Sequence, residues 1–178
     1  MIETGDPKRH RKKYKTPRHP FQKDRIHSEL ILIGKYGLRN KREIWRASTM
    51  LSNFRDQARR CLALSDEEQE KSRKLLVGRL HRLGILNLEA SLDDVLKLNI
   101  EDILGRRLQT IVNKLGLSKS IYHARQLITH GHIAIDNRRV TSPGYLVTRE
   151  EESLVSFAPS SPLSDPNHPE RVKTKVEG

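Results

Sequence analysis

The sequence predicts an α+β protein. An N-terminal helical bundle is followed by a small module of two helices and an antiparallel sheet, flanked by an extended basic N-terminal arm and a Pro-rich C-terminal tail. Three observations carry this reading. Apolar residues recur at helical spacing through residues 24–104. Beyond Gly105 two short helical stripes give way to alternating residues and a turn dipeptide. Both ends have the wrong composition for a core, with cations and prolines before residue 23 and four of the eight prolines after Phe157. The expected divisions are an arm over 1–23, a helical domain over 24–104, the module over 105–158 and a tail over 159–178.

In the arm, Pro7 to Lys23 holds eight Lys/Arg and no acidic residue, interrupted by Pro17 and Pro20. Like charges repel and proline blocks a helix, so this stretch should be extended or disordered in isolation and order on a phosphate backbone. Tyr14, His10, His19 and Phe21 add flat rings that can stack on bases. The alternatives are a solvated tail or a nuclear-localisation-like run.

In the helical domain, Ile26, Leu30 and Ile33 share one face, and Gly34 and Gly37 end that segment. Asn40 to Glu43 reads as a capping box. It opens a helix whose stripe is Ile44, Ala47, Leu51, Phe54, Ala58 and Cys61 or Leu62. Ser65 to Glu68 reads as a second box, opening a helix to about Leu83 with Leu76, Leu80 and Leu83 inward and Gly84 closing it. Ser91 to Asp94 and Asn99 to Asp102 mark two more short helices.

In the module, Leu108, Ile111, Val112 and Leu115 are spaced i, i+3, i+4, i+7, and Gly116 ends the stripe. Ser118 is a candidate N-cap for a helix with Ile121, Ala124, Leu127 and Ile128 inward, closed by a left-handed Gly131. His132 to Ile135 alternates as a strand and Asp136-Asn137 is a turn. Val140, Tyr145 to Val147 and Leu154 to Phe157 supply further short strands.

Charge narrows the function. The 178 residues carry 34 Lys+Arg against 22 Asp+Glu, a formal +12 with a pI near 10.1. Such a surplus attracts polyphosphates, nucleic acid above all. Residues 64–104 hold nine acids and six Lys/Arg, a net −3; residues 105–149 hold eight Lys/Arg and one acid, a net +7. Projected at roughly 100° per residue, Arg106, Arg107, Thr110 and Lys114 fall opposite the apolar stripe that begins at Leu108. Tyr122, Arg125, Gln126 and Thr129 lie off the next one. Two adjacent basic faces can follow folded RNA, although each residue taken singly is equally well an ordinary solvated side chain.

Other classes are disfavoured. Aromatics are 4% and no basic helix has a broad apolar back, against a membrane-surface role. No apolar run reaches spanning length and the N-terminus lacks a signal-peptide core, so a cytoplasmic protein is expected. A single cysteine leaves no disulfide framework or Cys-rich zinc site, and Cys61 on its stripe should be a buried thiol. No phosphate loop, Cys–His pair or HExxH motif points to an enzyme or a cofactor. His130-Gly-His132 could ligate a metal but reads better as an RNA contact. Asp93-Asp94 and Glu101-Asp102 sit where helix N-termini stabilise negative charge.

The segment RRLQTIVNKLGLSKSIYHARQLITHGHIAIDNRRVTSPGYLV, Arg106 to Val147, closely resembles the small RNA-binding module named after small-subunit ribosomal protein four. The hallmarks are Arg-Leu before the first stripe, Ser-x-x-x-Ala-Arg-Gln-Leu-Ile at Ser120 to Ile128, Gly-His-Ile at Gly131 to Ile133, and Ile-Asp-Asn before a short basic turn. Where the family more often has Gly after Asn, this chain has Arg138. RNA-modifying enzymes and a tRNA synthetase also carry the module. Here, however, SLDDVLKLNIEDILGRRLQ and GDPKRHRKKYKTP resemble the archaeal and eukaryotic branch of the ribosomal family itself, over nearly the full length.

The resemblance implies a structural constituent of the small ribosomal subunit, with no cofactor. It implies binding to small-subunit ribosomal RNA at a multi-helix junction, nucleation of assembly, and a place beside neighbouring small-subunit proteins. It also implies a position near the channel where messenger RNA enters, with messenger RNA as a further partner and a part in decoding accuracy. RNA contact is carried onto Arg106, Arg107, Ser118, Lys119, Ser120, His123, Arg125, Gln126, His130, Arg138 and Arg139, with Ser118 and Ser120 alternatively only helix caps. The arm's Lys8, Arg9, Arg11, Lys12 and Lys13 complete the candidate set. The rival reading is an assembly factor that uses the same module to chaperone pre-ribosomal RNA.

Overall fold

A computed structural model describes residues 12–165 and 168–169. In chain order the elements are α1 (Lys23–Tyr36), α2 (Lys41–Leu62), α3 (Asp66–Arg82), α4 (Leu92–Lys97), α5 (Ile100–Gly105), α6 (Leu108–Lys114), α7 (Ile121–Thr129), β1 (Ile133–Ile135), β2 (Arg138–Arg139), α8 (Arg149–Glu152) and β3 (Val155–Phe157), with a closing 3-10 turn at Pro162–Ser164.

α2 organises the first core. Asn40 accepts the Glu43 N–H, satisfying one of the orphan donors at the helix start. The stripe from Ile44 to Cys61 is then buried at every expected position. It meets Leu76 and Leu80 of α3, Leu92 and Val95 of α4, and Ile103 and Leu104 of α5. Burying side chains of this size contributes on the order of 1.5–3 kcal/mol each, so this helix is the spine of the bundle. The caps of α4 and α5 form as the spacing predicts. Ser91 and Asp94 bond reciprocally, and the Asn99 N–H donates to Asp102 at 2.7 Å.

Other expectations are corrected. Gly34 lies inside α1, and the left-handed Gly37 alone ends it. Leu30 is 53% exposed, because α1 turns Glu29 inward instead. Glu29 accepts from the Trp45 indole N–H at 3.1 Å and pairs with Lys41 and Arg25, so its buried charge is compensated. Ser65 makes no side-chain cap; the start of α3 carries Asp66, Glu67 and Glu68, which its dipole stabilises.

In the second core, α6 and α7 pack against an antiparallel sheet of order β2-β1-β3. Ile133 pairs with Phe157, Ile135 with Val155, and Ala134 with both Arg139 and Ser156. β1 is central and buried at all three positions rather than alternating, because the small Ala134 is covered as well. Asp136 and Asn137 have φ +48° and +62°, the two left-handed positions of a type I′ hairpin. Arg138 is therefore a strand residue and needs no glycine. Leu115 is 42% exposed and contributes little to this core.

Between residues 140 and 154 the chain departs from expectation. Tyr145 to Val147 form no strand but a strap beside the start of α6, where the Leu108 N–H donates to Tyr145 and the Val147 N–H to Arg106. α8 follows from a capping box at Thr148 and Glu151. The tail is not wholly separate, since Ser161 and Leu163 are buried and Leu163 joins the module core. In the arm, Tyr14 lies 6.0 Å from Trp45 and the Lys15 N–H donates to Thr49, so this stretch rests on α2.

Candidate nucleic-acid interface

The site is built on α6, α7 and the β1–β2 hairpin, and its first feature concerns how these are held. α6 is enclosed on nearly all sides, for Gln109 and Thr110 are buried along with its apolar stripe. Gln109 donates from Nε2 to the carbonyls of Gly37 at 2.9 Å and Ile121 at 3.0 Å, joining the end of α1 to the start of α7. A Cβ at Gly37 would lie 2.8 Å from that nitrogen, so the close approach requires glycine there.

Three candidate arginines turn inward. Arg107, 6% exposed, places a guanidinium nitrogen 2.5 Å from Glu43. Arg125 reaches the other oxygen of the same carboxylate at 2.9 Å and touches Gln109 Oε1 at 3.3 Å. Burial pushes the Glu43 carboxyl up, but the hydrogen bonds from Arg125 and Arg107 outweigh it and hold the group below the ordinary carboxylate range. Arg106 bonds to Glu152 at 2.6 Å and to the carbonyls of Val147 and Thr148. The sequence projection places Arg106 and Arg107 on an open back of α6. That back is filled by α2, which presents Glu43, and by the 145–148 strap.

Ser118 is likewise not a cap. It is buried and its hydroxyl donates to Asn113, while Ser120 caps α7 by accepting the His123 N–H at 3.2 Å.

The remaining candidates stay accessible. Lys119, Ser120, Gln126 and His130 are exposed on or beside α7, His123 is half-buried, and Arg138 and Arg139 are exposed on β2. The hairpin is tied to the end of α7 at Gly131, φ +79°, where a Cβ would come within 2.7 Å of the Arg139 stem. Lys12 and Lys13 are exposed, with the Lys12 ammonium 4.7 Å above the Tyr14 ring. Lys8, Arg9 and Arg11 lie outside the described residues. Arg39, which the sequence did not mark, bounds a shallow depression with Tyr122 and Gln126. No local signal could have found it, because its neighbours are some eighty residues away.

Chemically, exposed Lys and Arg suit phosphates, while Ser, Gln and His suit 2′-hydroxyls and base edges. Among the described residues, no three His, Cys, Asp or Glu are placed to hold a metal ion. No helix among them is long and apolar enough to cross a membrane.

A helical platform that pins a compact two-helix, three-strand module and leaves cations and planar side chains on its outer side defines a class: RNA-binding proteins. The chain matches the family described as "Ribosomal protein S4/S9 N-terminal domain" over residues 8–105 and that described as "S4 domain" over residues 106–153. It is 59% identical over 158 residues to the Small ribosomal subunit protein uS4 of Ignicoccus hospitalis, covering 89% of this chain and 95% of the relative. The proteins of the same name from Hyperthermus butylicus and Sulfolobus acidocaldarius are 54% identical over 169 residues and 55% over 174. Those alignments cover 95% and 97% of this chain, and 96% and 98% of the relatives. The chain belongs to the uS4 family of small-subunit ribosomal proteins. It is not an enzyme.

Proposed function

We propose that this chain is a structural constituent of the small ribosomal subunit that binds small-subunit ribosomal RNA through the outer side of α7, the 118–120 loop and the β1–β2 hairpin. Identity above 50% along nearly the whole length to proteins named as small-subunit components carries the reading. At residue level, Lys119, Ser120, His123, Gln126, His130, Arg138 and Arg139 touch RNA directly. Lys8, Arg9, Arg11, Lys12 and Lys13 follow phosphates, and Arg106, Arg107, Arg125 and Ser118 position the module rather than the RNA. The RNA target is a multi-helix junction, bound early enough to nucleate assembly, in the cytoplasm and beside other small-subunit proteins. Proximity to incoming messenger RNA, and through it an effect on decoding accuracy, completes the proposal.

An assembly factor with the same module is not favoured, since the relatives are named as subunit proteins. Sucrose-gradient sedimentation of cell extract tests the choice. One copy per mature small subunit is expected; presence on precursor particles alone would overturn the reading.

A further inference from the structure

The cations account for attraction to phosphates but not for the planar groups gathered along one side of α7. A cleft of about 340 Å³ opens there, walled by His123 and Gln126 of α7, by His130 and His132 just after it, and by Leu163 of the closing turn. We propose that this cleft is a nucleobase pocket, taking one unpaired base from the bound RNA between the His130 and His132 rings. The inference rests on the RNA-binding reading above and adds what the RNA puts there.

Four observations support it. The His130 and His132 rings are nearly parallel, 22° apart in plane, with centroids separated by 6.4 Å. A flat ring touching both needs about 7 Å, twice the ~3.5 Å contact distance between carbon atoms, so the base enters as the exposed His130 side chain swings outward by a small amount. Second, the walls are held in place. His132 Nδ1 is 2.9 Å from the Ser161 hydroxyl, and Leu163 is anchored in the module core, so one side of the cleft is fixed before any ligand arrives.

Third, the edge groups are of the right kind. His123 Nδ1 accepts the Lys119 N–H at 3.2 Å, which assigns the proton of its neutral ring to Nε2 as a donor. Gln126, exposed beside it, offers both a donor and an acceptor. A base edge displays the same mixture, whereas a phosphate needs donors only. Fourth, the chemistry disfavours the obvious rival for a histidine cluster, because among the described residues no three potential ligands are placed around an ion. RNA recognition by stacking on aromatic rings is sequence-tolerant and depends little on charge, so the cleft complements the phosphate contacts of Lys119, Arg138 and Arg139.

Affinity of the full chain for small-subunit ribosomal RNA, measured across a salt series for the unmodified protein, His130→Ala and His130→Phe, tests this. His130 is exposed, so neither variant should affect folding. The pocket predicts that His130→Ala weakens binding roughly 5- to 100-fold with an unchanged salt slope, and that His130→Phe, which keeps a ring, restores most of the loss. Three results would overturn it: an affinity loss under about twofold, a loss that the ring does not rescue, or a loss accompanied by a shallower salt slope, which is the mark of a phosphate contact. In each of these the unmodified protein still binds. Failure of the RNA-binding reading itself would show differently, as no salt-sensitive binding by the unmodified chain.

Discussion

Arg125 on α7 holds a carboxylate oxygen of Glu43 at 2.9 Å across eighty-two residues of chain, while Arg107 holds the other at 2.5 Å. One acid of the helical platform thus fastens two arginines of the module. Fixing them there does two things: it sets the angle of α7, and it withdraws two cations from the RNA-facing count.

Glu43→Gln should therefore act first on stability. It leaves the almost fully buried Arg107 without a counter-charge, at a cost of about 2–3 kcal/mol in urea unfolding at neutral pH. Arg125→Ala should cost less, because that side chain is 22% exposed, and the double variant should lose less than the sum of the two. Additive losses would mean that the pair does not interact.

The same contact predicts a pH dependence. The folded Glu43 carboxyl is held below its unfolded value of about 4.3, so its contribution is complete above that pH and fades as pH falls through the folded value. The stability gap between the unmodified protein and Glu43→Gln should accordingly be full at pH 7 and close progressively below about pH 4.3. A gap that persists into strong acid would contradict this.

Gly131→Ala should destabilise the module by about 1–2 kcal/mol, because φ +79° is unfavourable for a residue with a Cβ and the Arg139 stem must move. Thermal unfolding of the full chain would show it.

Replacing Arg138 and Arg139 by alanine should leave stability within about 0.5 kcal/mol, since both are exposed. RNA affinity should fall about 10- to 100-fold at fixed salt, with no change in sequence preference. Filter binding against ribosomal RNA fragments measures both the affinity and the preference.

How much of this was legible in the sequence depended on the range of the interaction. The stripe from Ile44 to Cys61 and the caps at Ser91 and Asn99 are local, spaced within a few residues, and the pattern reveals them. The tilt of α1 is not, because it depends on Glu29 finding Trp45 and Lys41 on another helix. Thr148-x-x-Glu151 is a signal the sequence does carry, but apolar residues on both sides favour a strand reading that overrides it. At the site, Lys119, Arg138 and Arg139 are exposed where simple charge reasoning places them. Arg106, Arg107 and Arg125 have equally conspicuous charge, yet their partners Glu152 and Glu43 lie 46, 64 and 82 residues away. A helical projection contains no information about such neighbours.

The central claim is that the cations left outside this internal network form the RNA-facing side. Its most direct test is the slope of log affinity against log salt for the full chain on small-subunit ribosomal RNA, with and without Arg138 and Arg139. About eight neutralised phosphates, one for each of Lys8, Arg9, Arg11, Lys12, Lys13, Lys119, Arg138 and Arg139, give a slope on the order of −6 to −7, and removing both arginines should make it shallower by about 1 to 2. A flat dependence, or a slope untouched by losing these two side chains, would contradict the account.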